Sequence, residues 1–285
     1  MTMKYPFLGY GLGLRSVHYN DILSQLPEID WFEAVTENYL VLGSRPMHFL
    51  EKVSEHYPVV LHGIGMGIGN ACGVNRKYLK ELQTLIKHIK PKWVSDHICF
   101  TGKSSHNSHD LLPLPYNKNT LNFLSDQVKL VQDYLGMAIV LENPSTYIEF
   151  NVSTFKEEDF IAELLLKTGA LMLLDVNNVY VSSYNHSFDP YSYIDSLPAD
   201  RIQQIHVAGH SNYGDYIIDT HDDYVISEVL ELYRYTIERF GAVSSMIEWD
   251  EKIPSLDTLL VEVQKLQDIT TQVSTKQGQE LCYDQ

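Results

Sequence analysis

Residues 203–222 read QQIHVAGHSNYGDYIIDTHD, and this stretch indicates both the fold and the kind of site that it carries. A short apolar strand ending at Val207 is followed by turns at Gly209 and Gly214. The stretch contains four side chains of types that bind divalent metals: His206, His210, Asp219 and His221. A single histidine is usually structural, but four such groups behind one apolar strand favour half of a metal site.

The composition is that of an ordinary globular protein with an acidic surface. The chain has 285 residues, of which 44% are hydrophobic, and a formal net charge of −16. Such a charge repels phosphate backbones, so no nucleic-acid partner is expected. The cysteines, Cys72, Cys99 and Cys282, form no CxxC pair, which favours a cytoplasmic location. No signal peptide and no apolar run of the ~18 residues that span a bilayer is found, so no membrane is expected either.

Short apolar runs alternate with amphipathic stretches along the whole chain. The runs lack polar alternation, as expected for parallel strands buried on both faces; they occupy residues 7–14, 31–35, 58–62, 92–97, 137–142, 171–175, 201–207 and 243–248. Helices are predicted at residues 21–26, 47–56, 75–89, 121–135, 157–168, 190–197, 227–240 and 255–269. This pattern predicts an α/β fold, a single (β/α)8 TIM barrel over residues 1–270, with a polar, frayed C-terminal tail at 271–285.

The apolar runs end repeatedly in side chains that can bind metal. The carboxyl ends of the strands form the active-site face of such a barrel, so we expect the following groups to converge: His62, His97, Glu142, Asp175, His206, His210, Asp219, His221 and Glu248. Asp175 follows Leu-Met-Leu-Leu, and a charge in that setting needs a counter-charge, most often a metal. These groups exceed the roughly four to six positions around one ion, which predicts two or three metals, of an element that the residues leave open.

Other polar residues have a simpler structural interpretation. Asn143, Asn177 and Asp250 are expected to serve turns or helix caps. The remaining histidines are expected to be structural, including the two in the long polar loop at 101–116: His18, His48, His56, His88, His106, His109 and His186. The glycine-rich residues 63–73 and the loop 101–116 both follow strands at the active-site end, which favours an open groove for an extended peptide.

The chain also resembles a known family along nearly its whole length. The segments that carry the resemblance are, in order, GLGLRSVHY, WFEAVTENY, VVLHGIGMGIG, VSDHICF, DLLPLPYN, VLENPSTYI, IHVAGH, IDTHD and MIEWD. They are similar to the successive motifs of the DUF692 family, the multinuclear non-haem iron-dependent oxidative enzymes.

The resemblance implies a specific chemistry for the predicted site. It implies two or three iron ions, dioxygen as co-substrate, and oxidation of a cysteine in a ribosomally made precursor peptide, as in natural-product biosynthesis. It also implies a small partner protein that recognises this peptide. The implied ligands are the groups predicted above with Asn178 as a further one, and the implied catalytic residues are His97, Glu142 and Asp175.

Two alternatives fit the residues when the resemblance is set aside. One is a metal-dependent hydrolase or isomerase on the same barrel, although the acidic surface argues against an endonuclease. The other is a protein that binds metal without catalysis. The identity of the metal would distinguish the first alternative from an oxidative enzyme, and oxygen consumption with a peptide would distinguish the second.

Overall fold

Eight parallel strands close into a barrel in the computed structural model. The structure describes residues 5–103 and 106–283. For residues 103, 106, 107, 109 and 277–283 it describes the backbone alone. The strands in chain order are β1 (Tyr10–Gly13), β2 (Trp31–Val35), β3 (Val59–Gly63), β4 (Val94–His97), β5 (Phe100–Lys103), β6 (His106–Leu112), β7 (Val140–Glu142), β8 (Leu171–Asp175), β9 (Ile202–Val207), β10 (Ser211–Asn212), β11 (Ile217–Ile218) and β12 (Ser244–Ile247). The barrel order is β1-β2-β3-β4-β7-β8-β9-β12. The predicted TIM barrel is confirmed, because each apolar run supplies one barrel strand.

Helices cover the outside of the barrel. They are α1 (Tyr19–Gln25), α2 (Arg45–Ser54), α3 (Arg76–Ile89), α4 (Lys118–Leu135), α5 (Glu157–Thr168), α6 (Val176–His186), α7 (Pro190–Ser196), α8 (Ser227–Phe240) and α9 (Leu256–Tyr283). Side chains of Ser44, Asn75 and Asn117 cap three of them by accepting hydrogen bonds from first-turn amides. Gly136 and Gly169 end α4 and α5 in the left-handed conformation.

One helix was not predicted. Residues 176–186 form α6 directly after β8, where only Asn177 had been assigned a role, in a turn or a helix cap. The Asp175 side chain caps this helix by accepting a hydrogen bond of 2.7 Å from the Asn178 amide. Both faces of its first two turns are buried, so the stretch has no amphipathic stripe by which a helix could be recognised. The same aspartate therefore ends a strand, starts a helix and faces the site.

Two hairpins occupy stretches that were predicted as loops. β5 pairs with β6 within residues 101–116, and β10 pairs with β11 between the predicted ligands His210 and Asp219. The loop prediction is wrong there. β5 and β6 are mostly polar, and β10 and β11 have two residues each, so none of them shows the alternation that reveals a strand. His106 and His109 belong to β6, but their side chains lie outside the described part, so their structural role stays a prediction.

The last helix is longer than the predicted 255–269. Helical backbone continues to Tyr283, and Val273 is buried in the apolar layer between the helices and the barrel. The backbone of residues 271–283 is thus helical, and Val273 packs against the apolar layer beyond residue 270; that the end of the tail frays stays a prediction. Across the described residues, every helix falls short of the length or the apolarity needed to cross a membrane.

The interior of the barrel is filled below its polar end. An apolar cluster occupies it, formed by Trp31, Val60, Trp93, Val140, Leu171, Leu173 and Met246. The indole Nε1 of Trp93 donates a hydrogen bond of 2.6 Å to Gln204 Oε1, so the polar atom of this ring is satisfied. Because the interior is packed, a ligand approaches the barrel from the carboxyl ends of the strands.

Candidate metal centre

Strand register places candidate ligands side by side at the carboxyl end of the barrel. His97 on β4 is in register with Glu142 on β7, and Asp175 on β8 is in register with His206 on β9. All four side chains are buried. Parallel strands thus bring these groups into one space without the help of any loop.

Two histidines direct the same ring nitrogen towards Glu142. Nε2 of His62 and Nε2 of His97 each lie 3.2 Å from Glu142 Oε2. Nδ1 of His62 is 2.8 Å from the Ser95 hydroxyl, and Nδ1 of His97 is 3.2 Å from the Gly63 carbonyl. A carbonyl can only accept, so His97 carries its proton on Nδ1 and leaves Nε2 bare. Burial holds the pKa of His97 well below its usual range, so the ring is neutral, the form that binds metal.

His206 stands among the carboxylates. Its Nδ1 lies 2.8 Å from Glu248 Oε2 and 3.9 Å from both Glu142 Oε1 and Asp175 Oδ2. On the other side of the ring, Nε2 is 3.1 Å from Glu33 Oε1. Burial disfavours the charged ring, but the charges of Glu248 and Glu33 outweigh it and raise the pKa of His206 well above its usual range. A metal at Nδ1 would take the place of the proton there, while Nε2–H donates to Glu33.

His221 joins the site from the loop after β9. Its Nε2 lies 2.6 Å from Asp219 Oδ1 and 3.9 Å from Asp175 Oδ2. Its backbone is in the left-handed region, with φ of 46°, which is uncommon for a residue other than glycine. The Asp250 amide donates a hydrogen bond of 2.7 Å to the His221 carbonyl and helps to hold this conformation. Strain that surrounding contacts maintain is characteristic of functional loops.

Arg15 fixes Asp250 beside His221. The guanidinium donates through Nε to the Trp249 carbonyl at 2.9 Å and through Nη2 to Asp250 Oδ1. Gly13 leaves room for it, since a Cβ there would lie 3.1 Å from the guanidinium. Asp250 Oδ2 lies 3.3 Å from His221 Nδ1. Burial disfavours the charged ring, but the charges of Asp219 and Glu248 outweigh it and raise the pKa of His221 well above its usual range. A metal at Nε2 would take the place of the proton there, while Nδ1–H donates to Asp250.

Six buried atoms at this end of the barrel make no hydrogen bond of acceptable geometry with the described residues. They are Glu142 Oε2, Asp175 Oδ2, Asn178 Oδ1, His206 Nδ1, His221 Nε2 and Glu248 Oε2. Buried polar atoms are nearly always paired, so a cluster of unpaired ones needs an explanation. Four groups in the described part of the chain have ligand atoms within 4.8 Å of one another, and two of them share Glu142: His62, His97 and Glu142, and Glu142, Asp175, His206 and Glu248. The other two share Glu248: Glu33, His62 and Glu248, and His221, Glu248 and Asp250. These residues fit a centre of more than one metal in which Glu142 is shared.

The electrostatics of the cluster also favour a bound cation. Burial raises the pKa of Glu142 well above its usual range and that of Asp175 to about 7. Burial opposes the ionisation of Glu248 as well, but the charges of His206 and His221 outweigh it and hold its pKa well below normal. Carboxylates in such a setting ionise readily only beside positive charge, and a metal ion supplies more of it than two histidines can.

Similarity to known proteins identifies the family. The sequence model described as "RiPP precursor modification enzyme MbnB/TglH/ChrH" matches residues 9–271. The chain belongs to this family. The resemblance to the DUF692 family is thereby confirmed. Among its relatives, the UPF0276 protein of Caulobacter vibrioides is 47% identical over 264 residues, covering 92% of this chain and 94% of the relative. The UPF0276 protein of Anaeromyxobacter sp. is 44% identical over 269 residues, covering 94% and 95%.

Solved structures outside this family share the barrel. An L-ribulose 3-epimerase has a TM-score of 0.61 at 13% identity, covering 96% of this chain and 97% of its own. Endonuclease IV from Thermus thermophilus has a TM-score of 0.60 at 14% identity, covering 92% and 99%. At such low identities the likeness shows the fold alone.

Two predicted ligands of this family member are joined by an asparagine. Nδ1 of His210 lies 2.8 Å from Asn177 Oδ1, and Asn177 Nδ2 donates to Asp219 Oδ1 at 2.7 Å. The His210 ring stacks on Tyr180 at 5.3 Å. Asn177 was predicted to serve a turn or a cap, but it lies inside α6 and links two site residues instead. That His210 and Asp219 bind metal stays a prediction.

The predicted ligand Asn178 lies inside the cluster. Its Nδ2 donates to Glu142 Oε1 at 3.3 Å and to the Asn143 carbonyl at 3.1 Å, which leaves Oδ1 as one of the unpaired atoms. Asn143, also expected to serve a turn or a cap, instead pairs with the Asp175 backbone through both of its amide atoms. Its side chain therefore ties β7 to β8 beneath the site.

Sequence reasoning missed two residues of the site. Glu33 is buried in β2 and accepts a hydrogen bond of 2.6 Å from Gln204 as well as facing His206. A charged residue inside the apolar run of β2 was the available signal. Asp250 was expected to serve a turn or a cap, but it contacts His221 and Arg15. Its role was hidden because Arg15 is 235 positions away in the chain.

Proposed function

We propose that the protein holds at least two iron ions and uses dioxygen to oxidise a cysteine in a ribosomally made precursor peptide. The observation that supports this best is the cluster of six buried atoms at the strand ends that lack a hydrogen bond of acceptable geometry with the described residues. The family description, a precursor modification enzyme, supports a peptide substrate. Iron and dioxygen come from the resemblance of the motifs to the DUF692 family.

The donor set fits iron of the non-haem type. Imidazole nitrogens and carboxylate oxygens are the ligands that such iron sites use. Glu142 belongs to two of the groups of candidate ligands, so it would contribute to holding more than one ion. When bound, iron would supply the electrons that reduce dioxygen and a position for the substrate sulfur.

The residues of this chain orient the ligands and exclude water. Hydrogen-bond partners behind the rings, the Gly63 carbonyl for His97 and Glu33 for His206, leave the other nitrogen of each ring for a metal. Cys99 follows β4, but its side chain is fully buried, and burial raises the pKa of its thiol well above the usual range. The reacting thiol therefore belongs to the substrate rather than to Cys99.

An open cavity over the cluster suits a peptide. It has a volume of about 660 Å³, and its walls include Leu112, Pro113, Tyr147 and Ile148. The exposure of Tyr147 and Ile148, 47% and 55%, leaves apolar surface at the mouth for a substrate to cover. The net charge of −16 favours a basic leader or a small partner protein that presents the peptide, and we include such a partner in the proposal.

Elemental analysis of protein purified without added metal tests the cofactor. At least two irons per chain are expected, because two groups of ligands exceed the coordination sphere of one ion. A single zinc without iron would contradict the proposal and favour a hydrolase or isomerase.

Mass spectrometry of the cysteine-containing peptide encoded beside the gene tests the reaction. A mass change is expected only with dioxygen present, and a peptide with Cys→Ser at the reactive position is the matched control. A change that persists without dioxygen, or in the Cys→Ser peptide, overturns the oxidative proposal.

A further inference from the structure

A second cavity lies beside the one over the metal centre. It has a volume of about 450 Å³ and shares Pro113 and Ile148 with the first cavity as wall residues. Its walls come from the segment before α4, the loop between β7 and α5, and the end of α6. A peptide that crosses the mouth of the first cavity therefore passes the second one within a few residues of its reacting side chain.

The second cavity combines aromatic walls with carboxylates. Its aromatic residues are Tyr116, Phe150, Phe155 and Phe188, and its acidic residues are Glu149, Glu157 and Glu158. The lysine of this lining, Lys156, lies 3.6 Å from Glu158. The imidazole of His186 is engaged by the Thr146 carbonyl at 3.0 Å. The lining thus keeps an excess of negative charge between apolar ring faces.

Glu157 is the half-buried carboxylate of this cavity. Tyr116 donates to its Oε2 at 2.7 Å and Tyr193 to its Oε1 at 2.8 Å. Within the described part of the chain, no lysine or arginine forms an ion pair with it. Burial raises its pKa to about 7, so its ionised form is unfavourable in the absence of a cation. A carboxylate with a raised pKa and without a cationic partner, at the wall of a cavity, is characteristic of a group that binds a ligand.

We propose that the second cavity binds a cationic side chain, arginine or lysine, of the peptide substrate, close in sequence to the residue modified at the metal centre. Aromatic faces attract a cation, carboxylates pair with it, and a planar guanidinium suits both kinds of wall. The same carboxylates disfavour a phosphate or another anion. This inference rests on the proposed function, since it takes the cation to belong to the same peptide.

An NMR titration of the protein as purified, without added metal, with acetyl-Gly-Arg-Gly-amide tests the cavity. The neutral peptide with citrulline in place of arginine is the matched ligand, and it is expected to bind about tenfold more weakly because it loses a charge-assisted hydrogen bond. Glu157→Gln keeps one tyrosine hydrogen bond as it is, and the amide NH2 donates to the other hydroxyl instead of accepting from it. This variant is expected to abolish the preference for arginine. Glu231→Gln, an exposed change on α8, should retain it.

Three results would overturn the inference. The first is equal binding of the two peptides, and the second is a preference for arginine that survives Glu157→Gln. The third is an equal loss of this preference in Asp110→Asn, because Asp110 lines the first cavity and the arginine would then bind there. Iron is measured in the same samples, so the two proposals fail separately. Protein without iron that still prefers the arginine peptide supports the cavity and contradicts the iron chemistry. Iron-replete protein without the preference contradicts the cavity alone.

Discussion

Glu142 is the residue on which the candidate centre depends most. Two histidine nitrogens lie 3.2 Å from its Oε2, and it belongs to two of the groups of candidate ligands. Glu142→Gln is expected to lose bound metal and activity while the barrel remains folded, because the amide keeps the volume but removes the charge. Metal analysis and circular dichroism measure the two effects.

Matched histidine variants provide the comparison for Glu142. His97→Ala removes one of the nitrogens that face Glu142 and should also lose metal. His88→Ala and His56→Ala should be nearly silent, because His88 lies on α3 and His56 in the turn before β3, both away from the carboxyl ends of the strands. Full iron and full turnover in Glu142→Gln or His97→Ala would refute the site assignment.

Arg15 acts on the centre through Asp250. Arg15→Gln releases the carboxylate that faces His221 Nδ1, so metal affinity is expected to fall about 10- to 100-fold, as for other outer partners of metal-binding histidines. Titration of metal-free protein with Co²⁺, followed by visible absorption, measures this without catalysis. Arg234→Gln, which breaks an outer ion pair on α8, is the control. Unchanged Co²⁺ affinity in Arg15→Gln would show that Asp250 needs no partner.

Glu157 makes stability depend on pH. Its pKa rises from the usual 4.5 to about 7 in the folded protein, chiefly through burial. The folded state therefore retains a proton that the unfolded state has lost, and stability falls as pH rises from about 4.5 to 7. The side chain is only half-buried, so the effect is at most ~3 kcal/mol at about 1.4 kcal/mol per unit.

Urea unfolding of Glu157→Gln across this pH range measures the contribution. The free energy of unfolding of the variant should equal that of the native protein near pH 4.5 and exceed it near pH 7.5, because glutamine has no proton to lose. The charged groups that also line this cavity, Glu149, Lys156, Glu158 and His186, are unchanged in the comparison. A constant difference across the range would show that Glu157 ionises normally.

At the scale of elements, the barrel strands could be predicted and several connections could not. Continuous apolar runs identify buried parallel strands from local sequence alone, so all eight were found. α6 was missed because its first turns are buried on both faces, and β5 and β6 because they are polar. Local patterns reveal an element only when one face differs from the other.

The residues of the candidate site also divide into those that could be predicted from the sequence and those that could not. Groups at strand ends, such as Glu142 and Asp175, could be predicted because the topology of a barrel brings strand ends together. Asp250 and Asn177 could not, because their roles depend on contacts with residues from other elements, Arg15 and Asp219. Such contacts exist only in the folded chain.

Gly209 controls how the loop after β9 packs. A Cβ at this position would lie 2.1 Å from the Asp223 carbonyl oxygen, and that backbone cannot move aside alone. Gly209→Ala is therefore expected to displace the segment that carries His221 and to lower bound metal. At Gly214 in the same loop, an added Cβ would have no atom within 4 Å. Gly214→Ala is therefore expected to lower the free energy of unfolding only through the strain of the left-handed backbone, by about 1–2 kcal/mol. Metal analysis of the pair tests this, and equal metal in both would contradict the packing argument.

At the scale of the whole molecule, packing and function occupy different parts of the barrel. Apolar side chains fill the interior below, and the candidate ligands, the two cavities and the exposed Tyr147 and Ile148 gather at the carboxyl end. A net charge of −16 gives the molecule as a whole a negative potential. Such a potential speeds the approach of a basic peptide, and it makes that approach sensitive to salt.

Metal removal is expected to destabilise the entire barrel, because the candidate ligands come from six of its strands and the loops after them. A ligand that binds only the folded state adds about 2.7 kcal/mol at a hundredfold excess over its Kd. For a domain of this size that corresponds to a Tm lower by roughly 5–10 °C after removal. Calorimetry before chelation, after chelation and after anaerobic return of iron measures the shift. Glu142→Gln should show little response to chelation, since it has already lost its metal. An unchanged Tm in the native protein would mean that the strand ends pack equally well without a cation, and the unpaired atoms would then require another explanation.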